Sequence, residues 1–93
     1  MNTKTIYDID PVDVIQTITG SRKSAQLEVR NGHDNIYSPE DFISDQKQFY
    51  AENPDLDKPD FDKMLDDAQS GDLRFEGAHN GFVDGIPFVW LHG

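Results

Sequence analysis

The side chains of this chain able to do chemistry near neutral pH are three histidines, His33, His79 and His92, set among eighteen aspartates and glutamates and no cysteine. Nucleophilic catalysis needs a serine, cysteine or similar group held against a base. Here there is no thiol and no G-x-S-x-G turn to present a serine. Each histidine stands in or beside an expected turn or chain end, where a polar ring needs no further explanation. No catalytic residue is assigned, and an enzyme is not expected. For metal chemistry, His79, His92 and Asp84 share no sequential ligand spacing, and zinc centres without cysteine are usually catalytic ones with three strong ligands. Asp55-Leu56-Asp57 opens like an EF-hand calcium loop. Pro59 then falls at the third ligand position, Asp60 where the turn glycine belongs, and Asp66 rather than a glutamate at the twelfth position. Neither a metal site nor a cofactor is expected.

The carboxylates remain. Glu40 to Asp72 holds eleven of the eighteen acids and three of the eight basic residues, a net charge of −8 against −1 on either side. Caps and helix dipoles account for acids near helix starts, here Glu40, Asp41, Asp60 and Asp57. They account less well for Asp45, Glu52, Asp62, Asp66 and Asp67, which lie beyond the first turn or late in their helices. Like charges four residues apart, Asp41 with Asp45 or Asp62 with Asp66, cost about 0.2–0.5 kcal/mol a pair. A single-sign field of this kind mainly serves steering and complementarity. Asp41, Asp45, Glu52, Asp62, Asp66 and Asp67 are therefore the candidate partner-binding residues. Two acidic helices side by side would set carboxylates about 5–6 Å apart. Such an array approximates a row of phosphates and would attract an Arg- and Lys-rich surface built for nucleic acid. Tyr37, Phe49 and Tyr50 offer an aromatic contact at its edge, with Phe49 expected mainly in the core.

The elements that position these residues follow from periodicity and punctuation. Thr3 to Ile9 alternates as a short strand. Asp10-Pro11 opens a helix to about Thr19, with Gly20 as its left-handed exit. Ala25 to Arg30 alternates strictly, and Asn31-Gly32 is a type I′ signal, so a hairpin continuing through Ile36 and Tyr37 is expected. Ser38-Pro39-Glu40-Asp41 opens a second helix to about Glu52, with Asp41, Asp45 and Glu52 in one stripe along its flank. The near-identical pentapeptides Pro54–Lys58 and Pro59–Lys63 follow, and Pro59 starts a third helix carrying Phe61, Met64, Leu65 and Ala68 inward, with Gly71 at its exit. A three-stranded meander completes the chain: Asp72 to Glu76, a strand at Phe82 and Val83, and Ile86 to Leu91 beyond the Asp84-Gly85 turn. The expected class is α+β, an antiparallel sheet with about three helices packed on one face, as one domain over residues 1–93.

Ninety-three residues suffice for a small core, which without cysteine rests on packing alone. Met1 is followed by polar residues rather than a leader, and no apolar run approaches a membrane span. A cytoplasmic, soluble protein is the expectation. A net charge of −10 opposes direct binding to nucleic acid or to an anionic membrane. The natural partner is a basic protein surface.

Small size, absence of cysteine, an α+β layout and the acidic run Glu40 to Asp72 resemble the small inhibitors of phages and other mobile elements, including anti-CRISPR and DNA-mimic antirestriction proteins. The resemblance covers the character of about a third of the chain. It implies a stoichiometric blocker of the guide- or DNA-binding surface of a host defence complex. Arg22, Lys23 and Arg30 break the acidity of the N-terminal part, which favours a local acidic contact over mimicry of a whole duplex. The rival reading is a small domain that self-associates through its sheet or last strand, its acids conferring solubility only.

Overall fold

In the computed structural model, which describes residues 4–92, each helix begins at a side chain that satisfies an otherwise orphaned amide. Helix α1 (Pro11–Thr19) is capped by Asp10 and ends on Gly20 at φ 74°. Helix α2 (Arg22–Arg30) is capped by Ser21, α3 (Pro39–Glu52) by Ser38, and α4 (Phe61–Gln69) by Asp60. Strands β1 (Asn35–Tyr37), β2 (Ala78–Val83) and β3 (Ile86–Leu91) form one antiparallel sheet in the order β1-β3-β2. The protein is α+β, with four helices and a three-stranded antiparallel sheet.

Three local expectations give way to other structures. Residues 25–30 are helix, not strand. Their alternation spans only six residues, whereas Arg, Lys, Ala, Gln, Leu and Glu all favour helix and Val29 is the one β-branched member. Asn31-Gly32 is accordingly a helix exit: Gly32, at φ 80°, donates to the Val29 carbonyl at 3.0 Å, and His33 donates to that of Glu28 at 2.8 Å. These two bonds are a Schellman motif, not a hairpin turn. The expected N-terminal strand is a single 3-10 turn over Ile6–Asp8, held by Thr5 donating its amide at 2.8 Å and its hydroxyl at 3.1 Å to Asp8. Thr3, where that strand was to begin, lies outside the described residues. Residues 72–76 form no strand either. The Asn80 side chain accepts from the Leu73 amide at 3.1 Å and donates to its carbonyl at 2.6 Å, so a side-chain amide replaces the ladder there. The third strand is β1, which pairs Asn35, Ile36 and Tyr37 with Leu91, Trp90 and Val89.

The last strand is therefore central, and helices cover both faces of the sheet instead of one. Phe88 and Trp90 of β3 join Ile6, Ile9, Val14, Ile15 and Ala25 in one core, under α1 and α2. Val89, pointing the other way, joins Phe42, Ile43, Ala68 and Leu73 under α3 and α4. Burial on both faces explains the unbroken apolar sequence of β3, since alternation marks only a strand with one wet side. Phe88 and Val89 are fully buried and Trp90 is 2% exposed. Each such side chain stabilises the fold by roughly 1.5–3 kcal/mol relative to exposure. Pro87 costs no ladder bond. It lies in register with Phe82, one pair beyond the Asp84-Gly85 turn, and past the end of β1 on the other side. No described helix is long and apolar enough to cross a membrane.

Candidate functional site

Helices α3 and α4 run antiparallel and in contact. Gln69, at the end of α4, donates to Glu40 at the start of α3 at 3.0 Å. At the other end the Tyr50 and Phe61 rings meet edge to face at 5.9 Å, and the Lys47 ammonium lies 6.0 Å from the Phe61 centroid. The side-by-side arrangement that the acidic array requires is thus present. The stripes nonetheless diverge. Glu40, Lys47 and Tyr50 mark the flank of α3 that meets α4. Asp41, Asp45 and Glu52, placed at about 100° per residue, fall on its opposite flank.

That outer flank borders an open cleft of about 420 Å³ beside the sheet edge, lined by Tyr7, Tyr37, Asp41, Ser44 and Asp45 among others. Asp41 has a structural task in it. The Ser38 hydroxyl caps the Asp41 amide at 3.2 Å, the Ser38 amide donates to the Tyr7 hydroxyl at 3.0 Å, and that hydroxyl donates to Asp41 at 2.5 Å. The reciprocal half of a capping box is closed here through a tyrosine from outside the helix. Asp45 and Glu52 are exposed, and neither forms an ion pair among the described residues. Tyr7 is 55% exposed at the rim.

The acids of α4 separate in turn. Asp62 and Asp66 are exposed on its outer surface. Asp67 points the other way and accepts from the Lys63 ammonium at 2.7 Å, over a cleft of about 370 Å³ shared with Tyr50, Asp72 and Arg74. The hydrogen bond and charge of Asp67, helped by Asp72 and Asp60, raise the Lys63 pKa above its usual value. The six predicted residues therefore form three groups: Asp41, Asp45 and Glu52 along one flank, Asp62 and Asp66 outside, and Asp67 in an ion pair. Phe49, expected in the core, is 48% exposed against Tyr50, because the buried residues of α3 all lie in its N-terminal half.

The histidines fall in places the sequence does not disclose. Asp84 sits in the β2–β3 turn and meets Lys4 at 3.7 Å, at the opposite end of the hairpin from His79 and His92, so that trio is not assembled. A different one is: the ligand atoms of Glu28, His33 and His92 lie within 4.8 Å of one another. Its one sequence signal is Gly32 read as a helix exit, which sets residue 33 beside residue 28.

The fold and site define a small α+β protein with an acidic helical hairpin on one face of its sheet. Comparison with protein-family models, curated proteins and solved structures returns no match.

Proposed function

We propose that this is a non-enzymatic acidic binding protein whose α3–α4 hairpin docks onto a positively charged, nucleic-acid-binding surface of a partner protein, as an inhibitor of the anti-CRISPR type would. One observation carries the reading. Among the described residues, the eleven acids between Glu40 and Asp72 have one ion pair, Lys63 with Asp67. The other ten carry charge that the fold does not use for pairing. Of these, Asp45 and Asp41 stand beside the exposed ring of Tyr7, a combination that suits an arginine: the guanidinium can bond a carboxylate through two donors and lie against the ring. The divergence of the stripes favours a local contact by the Asp41–Asp45–Glu52 flank over imitation of a duplex.

The test is capture of partners from nuclease-treated host lysate by the wild type and by two variants, Asp45→Asn with Glu52→Gln and Asp62→Asn with Asp66→Asn, at low and high salt. Nuclease removes bridging nucleic acid. Capture of a nucleic-acid-binding complex by the wild type, lost at high salt and weakened by the first variant more than the second, is expected. Equal capture by all three proteins, or capture indifferent to salt, refutes docking through these acids.

A further inference from the structure

The three histidines of the chain, separated by as many as fifty-nine residues, converge on one corner of the molecule. His33 and His92 meet edge to face at 5.3 Å, and His79 and His92 at 6.1 Å. Trp90 lies beneath, 5.1 Å from the His79 ring and 5.2 Å from that of His92. At the centre stands Glu28. A single carboxylate oxygen, Oε2, is 3.0 Å from His33 Nδ1 and 2.9 Å from His92 Nε2.

Backbone geometry puts these groups in place. In a Schellman motif the residue after the left-handed glycine lies against the residue five before it, usually as an apolar contact. Here the two positions are His33 and Glu28, a ligand pair where packing would ordinarily be found. Trp90 fixes the loop by donating its indole N–H to the His33 carbonyl at 2.8 Å, and the His92 amide is tied to the Gly77 carbonyl at 2.9 Å. Each ligand therefore leaves an anchored backbone position, Glu28 and His33 through the amide hydrogen bond between them and His92 through its bond to Gly77.

We propose that Glu28, His33 and His92 form a zinc-binding site that clips the end of α2 to the end of β3. Two imidazoles and a carboxylate are a recurrent zinc donor set, with water in the fourth position. Bonds of about 2.0–2.2 Å to a tetrahedral ion place donor atoms roughly 3.3–3.6 Å apart. The two carboxylate–imidazole separations, 3.0 and 2.9 Å, need to open by roughly half an ångström, while the two imidazole nitrogens, within 4.8 Å of one another, close around the ion. Each ring's other nitrogen can carry the proton, which frees Nδ1 of His33 and Nε2 of His92 to bind metal. The side chains are 26–44% exposed, leaving the fourth position open to solvent. Imidazole donors favour zinc over calcium or magnesium, which take all-oxygen sites. The inference stands apart from the proposed docking function, which uses other residues on another face.

The test is calorimetric titration of the full chain with zinc chloride, and with calcium chloride as control, followed by thermal melts. The expected result is one zinc per chain, no calcium binding, and a melting temperature raised on the order of 10 °C at free zinc about 100-fold above Kd. His92→Ala, at an exposed position, should weaken zinc by at least the roughly 10–100-fold that loss of a supporting partner costs, while His79→Ala leaves it within about 3-fold. Cobalt substituted for zinc should show the visible absorption of a tetrahedral site, absent in Glu28→Gln. Absence of saturable zinc binding by the folded wild type overturns the proposal. So does a loss in His79→Ala equal to that in His92→Ala, which would place the ion elsewhere.

Discussion

Neutralising Asp45 and Asp66 should stabilise the protein, whereas neutralising Asp10 or Asp60 should destabilise it, although every change removes the same charge. Asp45 lies four residues after Asp41 and Asp66 four after Asp62, both pairs on continuous helix and neither with an ion-pair partner among the described residues. Relieving one like-charge pair at that spacing is worth about 0.2–0.5 kcal/mol, and Asn and Asp have similar helix propensity. Asp45→Asn with Asp66→Asn should therefore gain about 0.4–1 kcal/mol at low salt. For a chain of this size that is a rise of roughly 2–8 °C in melting temperature. The caps behave oppositely. Asp10 accepts from the Val12 amide at 2.9 Å and Asp60 from the Lys63 amide at 3.1 Å. Asp10→Ala or Asp60→Ala should each cost about 1 kcal/mol, within the range of roughly 0.5–2 found for capping residues. Urea titrations of the four proteins at low and high salt would give both signs, with the gain from Asp45 and Asp66 shrinking as salt screens the repulsion. If the double variant is less stable than wild type, those acids have a structural role and the case for reserving them for a partner fails.

Glycine positions and an acid-sensitive turn offer two further checks. Gly71→Ala should cost clearly more than Gly32→Ala by thermal melt: both have φ above 70°, but a Cβ at Gly71 would lie 2.7 Å from the Phe82 ring, while that at Gly32 meets open space. Near-equal costs would show that the Phe82 ring moves aside freely. Asp8 has a pKa below its ordinary 3.8 because the Thr5 amide, and then its hydroxyl, donate to the carboxylate. Its contribution is present in full above the unfolded value and is lost as pH falls through the folded one. The urea midpoints of wild type and Asp8→Asn should differ at neutral pH and converge in acid. A constant gap down through that range would show that the ionised form of Asp8 adds nothing to the turn.

What the sequence disclosed was what local side chains enforce. Asp10-Pro11 and Ser38-Pro39 each open a helix at the expected place, and Asp84-Gly85, with both residues at positive φ, makes the expected tight hairpin, whereas the third expected helix starts at Phe61 under an Asp60 cap and not at Pro59. Where two local codes competed, the wrong one was legible. Residues 25–30 satisfy strand alternation and helix propensity at once; as helix they bury Ala25 and leave Leu27 45% exposed, where a strand would have turned both to one face. Long-range placement was hidden. The sequence cannot show that a short β1 inserts beside β3, so Ile86 to Leu91 read as a closing strand when it is the central one. The acidic stripe of α3 was visible, but the flank that meets α4 is set by Tyr50, Lys47 and Glu40 against Phe61 and Gln69, contacts that close only in three dimensions. Glu28, His33 and His92 were likewise invisible as a set, because His92 joins them across sixty-four residues.

The two-sided core also explains how so acidic a hairpin can be carried. Val89 secures α3 and α4 from the sheet side, and Phe88 and Trp90 secure α1 and the α2 end independently on the other face. Repulsion among the outer carboxylates thus acts against a hairpin already fastened along its inner face, so its cost stays at tenths of a kcal/mol per pair instead of threatening the fold. Salt then separates stability from binding. Screening relieves the repulsion and stabilises the free protein, but the same screening weakens any attraction between the exposed flank and a basic partner. A protein whose acids served solubility alone would show the first effect without the second. The opposed response of melting temperature and partner affinity to ionic strength, measured on one preparation, is therefore what distinguishes a docking surface from a merely charged one.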